Sequence, residues 1–377
     1  MAIDVAAFFG AQRNADAAHA AEWTTLEDYY NRKLWHQLSI KLFELLSDPT
    51  TPTSLDIYNN FLLDFANKLN QLTLVDICLI IVNRMTDAHA AVEFLRMLAE
   101  KVKRDNAAYI TTTMVIADLH IGPALAAPAT TKELLEEVGA LLETMDHVDL
   151  RIFSSYYRVA ASYNKVKGSF SEFYKDTLLF LGCTDLATLP IAEQQVRAFD
   201  LALAALLADD IYNFGELLVH PVLDSLRSTE HAWLVDLLFA FNSGNIAKFQ
   251  QLAPHWRKQS DLAAHEKKLT NKLALLALLE LVFQRPADTR TVSFQEIAQH
   301  TVLNVSDVEH LLMKALAAGL IRGSLDGVSQ AVSITWVQPR VLNTAQVADM
   351  RDRLAQWCRR VSEVSSLVES DASELIV

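Results

Sequence analysis

The residues of this chain that could do chemistry are few, and most stand alone. Asp146-His147-Val148-Asp149 sets an imidazole between carboxylates, the donor types of a metal site. No second histidine lies nearby, and the string falls in a connection between helical segments. Capping and solvation account for both acids. Gly323-Ser324-Leu325-Asp326-Gly327 has the outline of a nucleophile elbow. In that elbow a residue separates the first glycine from the serine, and a strand turns sharply into a helix. Here Ser324 follows Gly323 directly, on a segment that reads as a hairpin. Asp209-Asp210 pairs carboxylates as acid–base work requires, but at the end of a helical segment it reads as a solvated terminus. Cys78, Cys183 and Cys358 are spaced too widely for a zinc ligand set, and an odd, sparse count argues against a disulfide framework. Cys78, inside Ile77-Cys78-Leu79-Ile80, reads as a small buried hydrophobe, and Cys183 as packing at a helix end. Phosphate loops, dinucleotide glycine fingerprints and paired metalloprotease histidines are all missing. The residues therefore name no catalytic, cofactor-binding or metal site, and no cofactor is expected.

The elements that would have to position a site are mostly helices. The chain has 377 residues, 51% of them apolar and 21% charged, enough to bury the cores of two or three domains. Only 10 residues are Gly and 9 are Pro, too few for the tight turns of an all-β fold. From about Trp23 to Arg285 apolar residues recur at i, i+3, i+4 and i+7. In Leu34–Leu46 that face is Leu34, Leu38, Leu42 and Leu45, and in Val92–Val102 it is Val92, Leu95, Leu98 and Val102. Breaks fall at Ser47-Asp48-Pro49, Thr86-Asp87, Lys167-Gly168-Ser169 and Asn242-Ser243-Gly244-Asn245. Short helical hairpins cannot bury their apolar faces alone, so the spacing predicts a TPR-like α-solenoid over 23–285. The first 22 residues are an Ala-rich segment whose order and role stay open. No run of about 18 apolar residues is free of charge, and Leu273–Phe283, broken by Glu280, reads as a buried helix. Asp4 stands where a signal peptide carries positive charge, and with the sparse cysteines a reducing compartment is expected.

The pattern changes after Arg285-Pro286. Thr291–Phe294 is β-prone, Gln295–Thr301 a short helix, and Asp307–Ala318 a helix with Ser306 and Glu309 placed as a capping box. Leu320–Leu325 and Ala331–Val337 read as strands joined at Asp326-Gly327. Strand, helix, helix, hairpin is the order of a winged helix, expected over 286–342. Many winged helices bind DNA, but this one carries five cations (Arg285, Arg290, Lys314, Arg322, Arg340) against five acids (Asp288, Glu296, Asp307, Glu309, Asp326). With a chain net charge of −13 there is no basic field for phosphates. The other use of a hairpin is strand addition at its edge, with Ala331–Val337 the candidate strand. The candidate interface is Leu320, Ile321, Val332, Ile334 and Trp336. Val332, Ile334 and Trp336 could equally cover the module's own core, and both uses are compatible.

Beyond Pro339, within 343–377, Val347, Met350, Leu354, Trp357, Val361, Val364 and Val368 are spaced alternately three and four apart. That is the period of a coiled-coil or bundle helix. Either a partner covers this stripe or the helix packs back on its own chain.

A helical array, a winged helix and a terminal bundle helix together resemble the PCI-domain scaffold family of the proteasome lid, the COP9 signalosome and an initiation-factor complex. Within it, several strings resemble a proteasome lid branch. They are Lys33-Leu34-Trp35-His36-Gln37-Leu38, Phe180-Leu181-Gly182-Cys183, Glu193-Gln194-Gln195 with Arg197-Ala198-Phe199, and Asn213–Leu218 leading to His220–Leu223. Phe241–Asn245, Thr335–Leu342 and Trp357-Cys358 complete the set. The resemblance implies a non-catalytic, cytoplasmic and nuclear assembly subunit in ubiquitin-dependent degradation. It implies winged helices paired edge to edge and terminal helices gathered in a bundle. The implied partners are other PCI lid subunits (especially non-ATPase subunit 12), the deubiquitinase pair (subunits 7 and 14) and the ubiquitin receptor, subunit 4. No nucleic acid and no membrane is expected. The alternatives are a scaffold subunit of another PCI complex and a PCI-type nucleic-acid adaptor.

Overall fold

The structure is a computed structural model that describes residues 9–10, 12–13, 19–48, 57–85, 87–146, 149–285, 290–339 and 344–371. The chain divides into two compact units, Met1–Thr188 and Leu189–Val377. Its fold is mainly α, helical repeats followed by a winged helix and a long terminal helix.

The first unit is all helix: α1 (Ala20–Asn31), α2 (Trp35–Ser47), a π-helical turn at Tyr58–Leu62, α3 (Gln71–Asn83), α4 (Ala88–Val102), α5 (Asn106–Ile121), α6 (Pro128–Glu143), α7 (Leu150–Lys167) and α8 (Phe170–Cys183). Neighbours in sequence pack as neighbours in space, α1 on α2, α4 on α5, α5 on α6 and α7 on α8. Asp side chains start several helices: Asp87 accepts from the His89 N–H at 2.9 Å, Asp105 from Ala107 at 3.0 Å and Asp149 from Arg151 at 3.2 Å. Gly168 ends α7 in the left-handed region, φ +78°. The faces read from periodicity are buried at Leu38, Leu42, Leu45, Val92, Leu95, Leu98 and Val102. Leu34 is a correction: it caps α2 and is exposed, because Lys33 at φ +58° turns the chain there. The turn seats Trp35 on Phe65, rings stacked 5.4 Å apart, with the Lys68 ammonium 4.8 Å from the indole. Phe9, from the Ala-rich segment, is buried 5.0 Å from the Phe61 ring.

The second unit holds α9 (Ile191–Leu207), α10 (Ala232–Asn242), α11 (Ile246–Gln251), α12 (Glu266–Phe283), β1 (Thr291–Ser293), α13 (Phe294–Thr301), α14 (Val305–Ala317), β2 (Ile321–Asp326), β3 (Ala331–Val337) and α15 (Thr344–Asp371). As the sequence predicts, α12 is a buried helix: Leu269, Leu273, Leu276 and Leu278 are all within 1% of full burial. It packs against α9, α10 and α11 and also against α13, α14 and β3. The expected capping box is a correction: α14 starts two residues earlier, with Asn304 at its N-cap, and Ser306 lies inside the first turn. β2 likewise begins at Ile321 rather than Leu320.

Candidate functional site

The sheet is antiparallel, in the order β1-β3-β2. Ala331–Val337 is therefore a correction as the candidate edge: β3 is the central strand. β1 covers its far side, Val292 opposite Val332, and the Ile334 N–H donates to the Arg290 carbonyl at 3.0 Å. The edge beside the hairpin is the outer side of β2. A bulge between Arg322 and Gly323 interrupts that strand's register. Gly323 is required there, since a Cβ would lie 2.1 Å from the Ser333 carbonyl oxygen. Asp326 shapes the loop by accepting from the Val328 N–H at 3.0 Å and the Ser329 N–H at 3.2 Å. Hydrogen bonding from Ser329 and these amides holds its carboxyl below the usual range.

Among the five hairpin residues, Leu320, Ile321, Val332 and Ile334 are buried in the winged helix itself. As side chains offered to a partner they are corrected: Val332 and Ile334 lie on the inward pleat of β3, and Leu320 and Ile321 are buried where the chain enters β2. Trp336 is half-buried, with the Arg322 guanidinium 4.8 Å from its ring.

The other candidate surface is α15. Every described side chain from Asp349 to Ser370 is exposed. Val347, Met350, Leu354, Trp357, Val361, Val364 and Val368 form one apolar stripe along it, and each is between 48% and 64% exposed. Trp357, the largest, is 64% exposed. Among the described residues, none covers this stripe.

The residues that raised chemical readings have structural roles. Asp149 is a helix cap, while His147 and Val148 lie outside the described residues. Asp209 pairs with Lys268 at 2.7 Å beyond the end of α9. Cys78 is fully buried, which pushes its thiol up to about 12, far from a reactive thiolate. Cys183 is half-buried at the end of α8, and burial raises its pKa as well. A groove of about 430 Å³ is lined by Phe249, Trp256, Leu273 and Val302, but its ionic groups, Arg257 and Glu266, pair with each other at 2.7 Å. No group of three His, Cys, Asp or Glu placed to hold a metal occurs among the described residues. Nor, among them, is any helix long and apolar enough to cross a membrane.

Lys272 is the residue sequence reading missed. It is 4% exposed on α12, and its Nζ donates to the carbonyls of Ala205 at 2.7 Å, Leu206 at 3.3 Å and Ala208 at 2.8 Å. Three N–H groups thus cap the C-terminal carbonyls of α9, at the negative end of its dipole. The signal was present: Lys272 falls on the same face as Leu269, Leu273 and Leu276, where a solvated lysine has no place. Burial pulls this ammonium down to about 7, Lys268 pushes the same way, and Asp209 and Asp210 oppose. The unfolded value is about 10.4, so between the two the unfolded chain binds more protons and stability rises with pH. Lys272→Met, which leaves the carbonyls without donors, is expected to cost about 1–3 kcal/mol at neutral pH. The gap to wild type should widen by about 1 kcal/mol per pH unit from pH ~7 to ~10. Denaturant titrations of both chains across that range check this, and a gap independent of pH would refute it.

The strings singled out by sequence now have places in the fold. Arg197 pairs with Glu193 at 2.7 Å, Asn213 accepts from the Gly215 N–H at 3.1 Å, the His220 Nδ1 accepts from the Val222 N–H at 3.2 Å, and Asn245 caps α11. They are caps, turns and packing sites of one particular scaffold. Comparison with known proteins agrees. The family of PSD13 N-terminal repeats matches residues 22–238, and the PCI domain family matches residues 249–336. The 26S proteasome non-ATPase regulatory subunit 13 of Dictyostelium discoideum is 37% identical over 359 residues, 93% of each chain. Homolog B of that subunit in Arabidopsis thaliana is 36% identical over 383 residues, 98% of each chain. The probable 26S proteasome regulatory subunit rpn9 of Schizosaccharomyces pombe is 38% identical over 356 residues, covering 93% of this chain and 92% of the yeast one. With half of the chain matched by the repeat family and nearly all of it by such relatives, this chain belongs to the 26S proteasome non-ATPase regulatory subunit 13 family.

Proposed function

We propose that the chain is a non-catalytic structural and assembly subunit of the lid of the 26S proteasome regulatory particle, serving ubiquitin-dependent degradation in cytoplasm and nucleus. The observation that carries this reading is the apolar stripe on α15, exposed along its whole described length. A stripe of this period has one efficient way to leave water, packing into other helices. In this reading the organisation is a solenoid over 23–285, a winged helix over 286–342 and a bundle helix over 343–377. The outer edge of β2 adds to the sheet of a neighbouring PCI lid subunit, non-ATPase subunit 12, and α15 enters a bundle with helices of the deubiquitinase pair, subunits 7 and 14. The ubiquitin receptor, subunit 4, is a further neighbour. Relatives named as regulatory subunits, and a fold whose candidate nucleophiles and acids serve as caps, core and ion pairs, support a scaffold over an enzyme.

The test is mass spectrometry of complexes captured through an N-terminal tag, comparing the full chain with one ending at Thr344. Full-length chain is expected to bring down lid and ATPase-ring subunits, and the shortened chain to lose them. Capture of a different PCI complex by the full chain would overturn the proposal.

A further inference from the structure

The polar residues beside the α15 stripe describe its partner, on the reading that the stripe is a docking seam. Taking Val347, Leu354, Val361 and Val368 as one row of the seam and Met350, Trp357 and Val364 as the other, the flanking positions are Arg351, Cys358 and Ser365 on one side and Arg353, Arg360 and Leu367 on the other. Every ionisable charge at these flanks is an arginine. The acids Asp349, Asp352, Glu363 and Glu369 fall on the face turned away from the seam, with Arg359 the one cation there, and Asp371 ends the seam's second row. This sorting occurs in a chain whose net charge is −13.

In the free chain Arg351 is paired with Asp352 at 2.7 Å and Arg353 with Asp349 at 2.8 Å. Arg360 has no ion pair among the described residues and is exposed. A second copy of this helix would bring only arginine, Cys358, Ser365 or Leu367 opposite these side chains, so self-pairing meets like charge or none. A lipid surface is a poorer fit: helices that lie in it present a broad apolar face, whereas this seam is two rows wide.

We infer that the groove receiving α15 is formed by helices of a partner protein whose seam-flanking residues are carboxylates, opposite Arg353 and Arg360. The apolar seam supplies affinity. The arginine borders set register and steer encounter with an acidic groove, which a predominantly acidic chain would otherwise approach against repulsion.

The experiment uses the full chain and lid particles assembled without this subunit. Incorporation is followed at about 50 mM and about 500 mM salt for wild type, for Arg353→Glu with Arg360→Glu, and for Leu354→Asp with Val361→Asp. The arginine reversals are expected to slow incorporation about tenfold or more at low salt, with most of the difference gone at high salt. The aspartate pair should fail at both. If the reversals incorporate like wild type, or with a defect indifferent to salt, while the aspartate pair fails, the acidic border is overturned and the seam stands. If the aspartate pair also incorporates normally, the seam falls with it. Binding of the full chain to vesicles of anionic phospholipid, lost on reversal, would assign the arginines to lipid and overturn the inference.

Discussion

A chain carrying Leu354→Asp with Val361→Asp is expected to fold normally and be absent from the assembled particle. Both side chains are exposed in the free chain, at 58% and 49%, so their replacement takes nothing from the core. Exposed substitutions of this kind change stability by about 0.5 kcal/mol. In a helix bundle the same positions face the seam. Each then forfeits about 1.5–3 kcal/mol of apolar burial. Each also brings a carboxylate to an apolar contact, which costs several kcal/mol more unless the groove opens to water. The sum exceeds about 4 kcal/mol, a thousandfold or more in affinity. Circular dichroism and a thermal melt should match wild type, while co-sedimentation with lid subunits is lost. Ala355→Asp with Ser362→Asp adds the same charge on the outward face and serves as the control, expected to assemble. Wild-type incorporation of the seam variant would remove the basis for the bundle.

Gly244→Ala is expected to destabilise the second unit by about 2–5 kcal/mol, from strain and overlap together. Gly244 lies between α10 and α11 at φ +62°, where a Cβ is unfavourable whatever the space. The added methyl would also lie 2.5 Å from the Ala277 Cα and 2.9 Å from its nitrogen. Those atoms are backbone of the buried α12, so relief requires moving a helix rather than a side chain. Gly168→Ala separates the two effects. At φ +78° it has the same conformational strain, but nothing lies within 4 Å of its Cβ. It should cost only about 1 kcal/mol. Denaturant unfolding of the two variants checks the ordering, and equal losses would show that contact with α12 does not matter.

Periodicity was most informative where a single face meets a single core. The buried faces of α2 and α4 and the buried α12 were readable for that reason, and so was the order of the winged helix. Strand order was not readable from the hairpin. Only the partner of Thr291–Ser293 decides whether β3 is central, and a three-residue strand carries no pattern that names its partner. Phe9 was hidden for a related reason: one aromatic in an Ala-rich stretch has no period, and its burial depends on Trp23, Tyr30 and Phe61 brought to it by the fold. Lys272 was overlooked because residue type was weighed above position. The α15 stripe was legible because one unbroken period runs along it and no described residue of the chain covers it.

The helix α12 ties the winged helix to the repeats before it. Its side chains are at once the wall of α9, α10 and α11 and the floor under α13, α14 and β3. Melting either side strips apolar surface from the other, so the two share one cooperative transition and one rate of amide opening. The winged helix is therefore not a portable module. A fragment excised after Phe283 would leave α13, α14 and β3 without that floor. A sequence-based domain boundary there marks a change of secondary structure, not a place where the protein comes apart.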